Sequence, residues 1–408
     1  DPGEGGTLTV TLANGGSLAS GALTATLSTT SPWLSVTDAD GAFPAVELGG
    51  SGSNAGAPFA VYASTECFTG HLAPCTLVLS SGGETVAELP FAVTVGTQMA
   101  HSPTGPDAYG YYAFDDTDIA SGHAPVYDWV ELTPALGGSG VSVGLSDYGW
   151  EQDDTKLVSL PFTFRYYGKE QTELSICSNG WVAFGQCSLV SYHNAGIPGA
   201  GGTPRAMLAP FWDNLMQEGD NLVYHWYDAV EHRYIVQWRD MVQCYQGYTQ
   251  HPQDFQLILL DPAYYQTISG EGMILFQYKT VNNTDDLNAY ATVGIQSPDG
   301  QDGLLYSYWN HTMGGAATVA AGRAILFMPL GGLLQPSAVV TPSSVTAGVA
   351  PGGVITRDLL VTNAGDAGSL LQVSLAKLDP SVMGGNKSAG AGTGDPILTP
   401  SSIAGSTF

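Results

Sequence analysis

Carboxylates are the densest source of potential chemistry in this chain. Asp115, Asp116 and Asp118 fall within one short stretch after an aromatic run. Asp147, Glu151, Asp153 and Asp154 crowd a second stretch, Asp285-Asp286 a third and Asp299-Gly-Gln-Asp-Gly303 a fourth. Closely spaced loop carboxylates suit calcium, a hard cation that takes about six to eight oxygen ligands. The best-spaced set is Asp115, Asp116 and Asp118. The competing reading is that Asp and Gly are what turns need. There is no EF-hand loop and no Gly-Asp-rich repeat, so calcium is the only cofactor the sequence suggests and none is required.

The five cysteines fall as Cys67 and Cys75, Cys177 and Cys187, and a lone Cys244. In an oxidising compartment each close pair is expected to staple a loop or hairpin as a disulfide. His71, between the first two, makes metal ligation the rival, but the set lacks the fourth ligand of a structural zinc. His225 and His232 share a strand–turn–strand without a third ligand nearby. No nucleophile elbow, zinc-protease helix, phosphate-binding loop or dinucleotide fingerprint is present, so an enzyme is not expected. Trp129, Trp150 and Trp309 lie in loose context, where indoles stacking on sugar would make a surface glycan a partner.

Net charge is −26, yet the 37 acidic residues are not many for 408; the imbalance comes from having only 11 Lys and Arg. A phosphate backbone would meet no basic patch, which argues against nucleic-acid binding. No run of about 18 apolar residues exists to span a membrane. The chain starts at Asp1 rather than Met and reads as a mature, processed product or an excised fragment.

The elements that must position these residues are strands. Gly 53, Pro 24 and short alternating apolar runs predict an all-β chain rich in turns. Residues 1–97 read as an Ig-like β-sandwich lacking its first strand, with strands at Leu8–Leu12, Leu23–Leu27, Phe59–Tyr62, Thr76–Leu79 and Val86–Val95. Residues 98–110 read as a Pro/Gly linker. Residues 111–333 hold seven of the eight Trp and form a central β-domain. Residues 334–379 read as a partial second sandwich, and 380–408 as a Gly/Ser-rich tail.

Two resemblances add to this reading. DPGEGGTLTVTLANGG, SPWLSV and LPFAVTVG resemble the Ig-like modules of large secreted bacterial peptidases and surface proteins. In the centre, Leu160-Pro-Phe-Thr-Phe164 with Tyr166-Tyr-Gly168, Ser178-Asn-Gly-Trp181, Ala209-Pro-Phe-Trp-Asp213, Ile235-Val-Gln-Trp238, Phe255-Gln-Leu257 and Ile274-Leu-Phe-Gln-Tyr278 follow the order of landmarks in a nidogen-like, plexin-domain-like β-module. This second resemblance implies an extracellular or cell-surface domain without catalysis. It also implies that Trp181, Trp212 and Trp238 are core residues.

The two ends echo one another. Pro2, Asn14 and Gly16 recur as Pro351, Asn363 and Gly365, all at an offset of 349 residues. Thr341-Pro-Ser-Ser-Val345 precedes the later copy, and Thr399-Pro400-Ser401-Ser402-Ile403 closes the chain. Written head to tail, the chain end followed by its own start repeats the later segment with one extra residue. The expectation is an assembly strand at Thr399–Ile403 that completes the first sandwich of another copy, giving a homopolymer by donor-strand complementation. The alternatives are a non-catalytic spacer or binding region from a larger secreted peptidase or adhesin, and a tail that folds back on its own first domain.

Overall fold

The computed structural model describes residues 1–147, 152–199, 201–217, 222–244, 252–286, 290–345, 348, 354–371 and 373. Among them the regular elements are all strands, apart from two 3-10 turns at Ile119–Ser121 and Pro134–Leu136. The all-β, sandwich-type expectation therefore holds. The chain divides into two compact units, Asp1–Gly332 and Leu333–Thr407.

The N-terminal module of the first unit contains β1 (Gly5–Leu8), β2 (Thr11–Ala13), β3 (Leu23–Thr29), β4 (Leu34–Asp38), β5 (Asp40–Phe43), β6 (Ser51–Ser53), β7 (Phe59–Ala63), β8 (His71–Ser81) and β9 (Glu84–Val95). One layer has the order β1-β7-β4 with the short pair β2-β6; the other is β5-β3-β8-β9. Burial alternates along β8, where His71, Ala73, Cys75, Leu77 and Leu79 point inward. That period of two is the signature of a strand with one face on a core. A Cβ on Gly41 of β5 would lie 2.6 Å from the ring of Phe59, so glycine is what lets β5 approach β7.

The strand expected over Leu8–Leu12 is broken into β1 and β2. Asn54, fully buried, accepts from Val10 N–H at 2.7 Å and donates its amide to Leu8 and Ala57 carbonyls. A side chain thus takes the ladder position between the two short strands.

The central module contains β10 (Tyr111–Asp115), β11 (Val141–Ser142), β12 (Thr155–Tyr166), β13 (Lys169–Cys177), β14 (Trp181–Phe184), β15 (Met207–Trp212), β16 (Leu215–Gln217) and β17 (Val223–Asp228). It continues with β18 (Arg233–Gln243), β19 (Gln253–Leu260), β20 (Ile274–Thr280), β21 (Thr292–Gln296), β22 (Gly303–Tyr308), β23 (His311–Thr312) and β24 (Ala324–Pro329). One sheet runs β10-β24-β20-β19-β18-β17-β11, with β16 also on β18; the other runs β12-β13-β14-β15-β21-β22-β23. A single apolar cluster draws on both, including Phe164, Ile176, Phe211, Trp238, Phe255, Phe276 and Phe327.

Both faces of the first sheet are covered. Gln237, Gln256 and Gln277 stand side by side on β18, β19 and β20. Their amides hold a segment that crosses the sheet's outer face. Gln277 accepts from Asp128 N–H and donates to Asp128 O, Gln256 donates to Val130 O, and Gln237 accepts from Leu132 N–H. A row of amide side chains here does what a neighbouring strand's backbone does elsewhere.

The two modules of this unit are joined by more than a linker. Every residue of β10 is buried, because Tyr111 and Ala113 enter the central core while Tyr112 and Phe114 meet the N-terminal module. Phe68 packs edge-on against Tyr112 and Phe114, and the Tyr112 hydroxyl bonds His71 Nδ1 at 2.9 Å and accepts from Leu72 N–H at 3.1 Å. Residues 98–110 are themselves packed. Thr104 and Ala113 exchange both backbone bonds at 2.9 Å, and the Asp302 carboxylate accepts from Ala108 and Tyr109 N–H.

In the second unit β25 (Ala338–Thr341) pairs antiparallel with β26 (Leu360–Asn363), and this pair is the only ladder among the described residues there. It buries little: Leu360 is 62% exposed and Val339 45%. An isolated two-stranded ribbon of this kind is marginal by itself.

Candidate assembly surface

One sheet edge with unused bonding capacity is the outer edge of β2. Asn14 turns its N–H to Gly50 O at 2.9 Å and accepts from Gly49 N–H at 3.0 Å, while Val10 O accepts from Asn54 N–H at 3.3 Å. Residues 10 and 14 therefore face β6. Backbone direction alternates along an antiparallel strand, so Thr11 and Ala13 direct their N–H and C=O groups to the other side. No strand lies on that side among the described residues. Such a row is a template for pairing with another chain.

The adjoining core is also incompletely covered. Ala87, Leu89, Phe91 and Val93 of β9 lie opposite the inward residues Leu79, Leu77, Cys75 and Ala73 of β8. They belong to the core-facing side, yet Leu89 is 39% exposed and the other three only half-buried.

The expected calcium ligands are placed differently from a cation site. Asp115 is fully buried, with Oδ1 accepting from Thr117 N–H and Oγ1–H and Oδ2 accepting from Tyr306 O–H and Ala317 N–H. Burial pushes this carboxyl up, but those donors together hold it below the usual carboxylate range. Asp116 pairs with Arg323 Nη1 at 2.7 Å, and the same guanidinium lies 3.7 Å from Asp115. The positive charge at this turn is thus Arg323. Among the described residues no group of three His, Cys, Asp or Glu side chains is arranged to hold a metal ion. The carboxylates expected as calcium ligands at Asp115, Asp116 and Asp118 are here engaged by protein donors.

Asp118 is the strained member of this set. Its Oδ2 accepts from Asp115 N–H at 2.8 Å, whereas Oδ1 is buried without a hydrogen-bond partner. Burial, with Asp115 and Asp116 adding to it, pushes its carboxyl up to about 7. The folded value lies above the unfolded one, so stability is lost as pH rises from about 4 through about 7. Asp118→Asn keeps an acceptor for Asp115 N–H and removes the charge. It should raise stability at pH 8 by on the order of 2 kcal/mol, with the gain fading towards pH 5. Thermal melts of both proteins across that range check this, and a pH-independent difference would refute it.

Neither expected disulfide is formed in the structure, where all five cysteines are free thiols. Cys75 points into the N-terminal core opposite Phe91, while Cys67 donates to Phe68 O at 3.5 Å. Cys177 closes β13 opposite Trp181, and the Cys187 N–H is held by Ser175 Oγ at 2.9 Å. Burial pushes the Cys67 thiol up to about 11 and that of Cys177 to about 12. The zinc rival also fails at His71, whose Nε2 bonds Ser31 Oγ and whose Nδ1 bonds Tyr112. Cys244 lies near Asp147, Asp153 and Asp285, and burial with these charges raises its thiol to about 12. The chain fold gathers these acidic residues from distant positions; Glu151 lies outside the described residues.

Trp181, Trp212 and Trp238 are fully buried. Each indole N–H is matched, to Ser191 O for the first two and to Cys177 O for the third. Trp129 packs under Lys279 on the outer face of the first sheet, and Trp309, 52% exposed, sits in the β22–β23 turn of the second. Trp150 lies outside the described residues.

Residues 134–329 match a family model described as NIDO related. A NIDO-related domain covers this segment. The match starts inside the sequence range expected for the central module, 111–333, and ends with β24. β10 and the crossing segment held by Gln237, Gln256 and Gln277 precede it, although β10 pairs with β24 inside the NIDO-related domain's own sheet. No curated protein and no solved structure matched the chain. The amide row was visible in sequence as a Gln in each of three successive strand motifs; its use could not be read there, because the segment it holds has no strand pattern. No helix among the described residues is long and apolar enough to cross a membrane.

The expected assembly strand, Thr399, Pro400, Ser401, Ser402 and Ile403, lies outside the described residues.

Proposed function

We propose that this is a non-catalytic extracellular assembly protein whose copies join head to tail by strand complementation at the N-terminal module. The single observation that carries the reading is the outer edge of β2, whose backbone groups at Thr11 and Ala13 face no strand among the described residues. The layer order supports it. In an immunoglobulin-type sandwich the first sheet runs A-B-E-D and faces C-F-G. The layers here, β1/β2, β6/β7 and β4 against β3, β8 and β9, follow the order B-E-D against C-F-G, with β5 an added edge strand beside β3. Strand A belongs beside B, which is the open edge. Strand addition supplies main-chain hydrogen bonds for affinity and alternate side chains for specificity. A heterologous contact that does not close on itself builds a filament or surface array.

The NIDO-related domain supports an extracellular setting, and its extensive core with the β10 contact to the N-terminal module suits a rigid spacer between joints. The test compares the 408-residue chain with a variant lacking residues 396–408, by negative-stain electron microscopy and sedimentation. Polymers of the full chain and dispersed particles of the truncated one are expected. Polymers that persist undiminished after truncation would overturn the reading.

A further inference from the structure

We propose that the outer edge of β2 is the acceptor for Pro396–Thr399 of a second copy of this chain, in the register that β25 keeps with β26. This rests on the assembly reading above and names its joint residue by residue. At the offset of 349, β26 corresponds to Thr11–Asn14, which is β2 with one residue added. In the second unit, Leu360 lies opposite Thr341 and Thr362 opposite Val339, and Ala364 N–H donates to Ser337 O at 2.7 Å. The counterparts of Leu360, Thr362 and Ala364 are Thr11, Ala13 and Gly15. Thr11 and Ala13 are the residues whose backbone groups face outward from β2.

A glycine carries the second match. A Cβ on Gly365 would fall 2.1 Å from Gln335 O and 2.6 Å from Ser337 N, so the strand backbone passes where a side chain would be. Its counterpart Gly16 has only the neighbouring Asn14 Oδ1 within 4 Å, at 3.1 Å, and otherwise opens to free space. The φ of Gly16 is not positive, so its own turn does not demand glycine. Close approach by another backbone does.

An asparagine carries the third. Asn363 Oδ1 accepts from Gly365 N–H and Ser337 N–H, both at 3.0 Å. Asn14 Oδ1 accepts from Gly16 N–H at 3.0 Å, the same turn bond, which leaves its other lone pair for an incoming strand.

The donor follows by sequence. Asp395-Pro-Ile-Leu-Thr-Pro-Ser-Ser402 aligns with Ser337-Ala-Val-Val-Thr-Pro-Ser-Ser344 at an offset of 58. Transferring the register puts Thr399 opposite Thr11, Leu398 opposite Leu12, Ile397 opposite Ala13, and Asp395 N–H on Asn14 Oδ1. Residues 395, 397 and 399 then make the ladder bonds. Pro396 and Pro400 fall on alternate positions, whose nitrogens point away from β2, so neither proline interrupts the pairing. Leu398 lands on the same face as half-buried Leu12, beside the core. The pairing segment ends at Thr399 rather than starting there, as β25 ends at Thr341.

Two sets of variants of the full chain test the joint. Gly16→Ala should leave the monomer folded with at most a small fall in melting temperature, since the added Cβ has only Asn14 Oδ1 within 4 Å, at 3.1 Å, yet abolish assembly. Under mild oxidation Leu12→Cys/Leu398→Cys should give a ladder of chains on a non-reducing gel, and the shifted pair Leu12→Cys/Ile397→Cys should not. Unaltered assembly of Gly16→Ala, or better cross-linking of the shifted pair, overturns the register. If assembly nonetheless still requires residues 396–408, head-to-tail joining survives and only this joint falls. A Leu12–Leu398 cross-link closed within one chain, or no cross-link at all, overturns both.

Discussion

Gly180→Ala is expected to destabilise the NIDO-related domain by at least about 3 kcal/mol, combining left-handed strain with overpacking. Gly180 sits in the turn between β13 and β14 at φ +72°. A Cβ there would lie 1.9 Å from Phe211 O and 2.8 Å from Phe211 C. Those are backbone atoms of β15, so no side-chain rotation relieves the clash. The turn and the strand are also bonded, Phe211 N–H to Gly180 O at 3.2 Å and Leu215 N–H to Asn179 Oδ1 at 2.9 Å. Moving one therefore strains the other. The urea midpoint should fall with little change in slope. An unchanged midpoint would mean that the β13–β14 turn is not held against β15 in solution.

The second large effect is at Asp115. Asp115→Ala removes the acceptor for Thr117 N–H and Oγ1–H, Tyr306 O–H and Ala317 N–H, and leaves Arg323, 14% exposed, with Asp116 alone. Stranding buried donors and weakening a buried ion pair should cost about 3–5 kcal/mol. Tyr306→Phe, which removes one of those donors, should cost about 1 kcal/mol. The companion measurement separates this from calcium binding. Added calcium or a chelator should leave the melting temperature of the unmodified protein where it was. A chelator that destabilises it as Asp115→Ala does would restore the metal reading of Asp115, Asp116 and Asp118.

These two sites differ in how far the sequence reveals them. Ser178-Asn-Gly-Trp181 stands out as a turn motif, and the part of β8 at Thr76–Leu79 reads as a strand. Local backbone preference and the burial of alternate residues are sequence-near properties, so the all-β architecture was legible, while the burial of Trp181, Trp212 and Trp238 followed from the nidogen-like resemblance. Asp115, Asp116 and Asp118 look like cation ligands because nothing local reveals Arg323 and Tyr306 arriving from far along the chain.

For the assembly surface, the echo at an offset of 349 and the repeat of Thr-Pro-Ser-Ser belong to the sequence by itself. They announce that two segments are built alike. Only the tertiary structure decided what the likeness means. It put Asn14 and Val10 against β6 and turned Thr11 and Ala13 outward. It also packed Gln335 and Ser337 against Gly365 while Gly16 opens to solvent. The reason is physical: which backbone groups of a strand are already bonded depends on its neighbours in space, and a one-dimensional repeat records kinship between strands but not which of their edges is free.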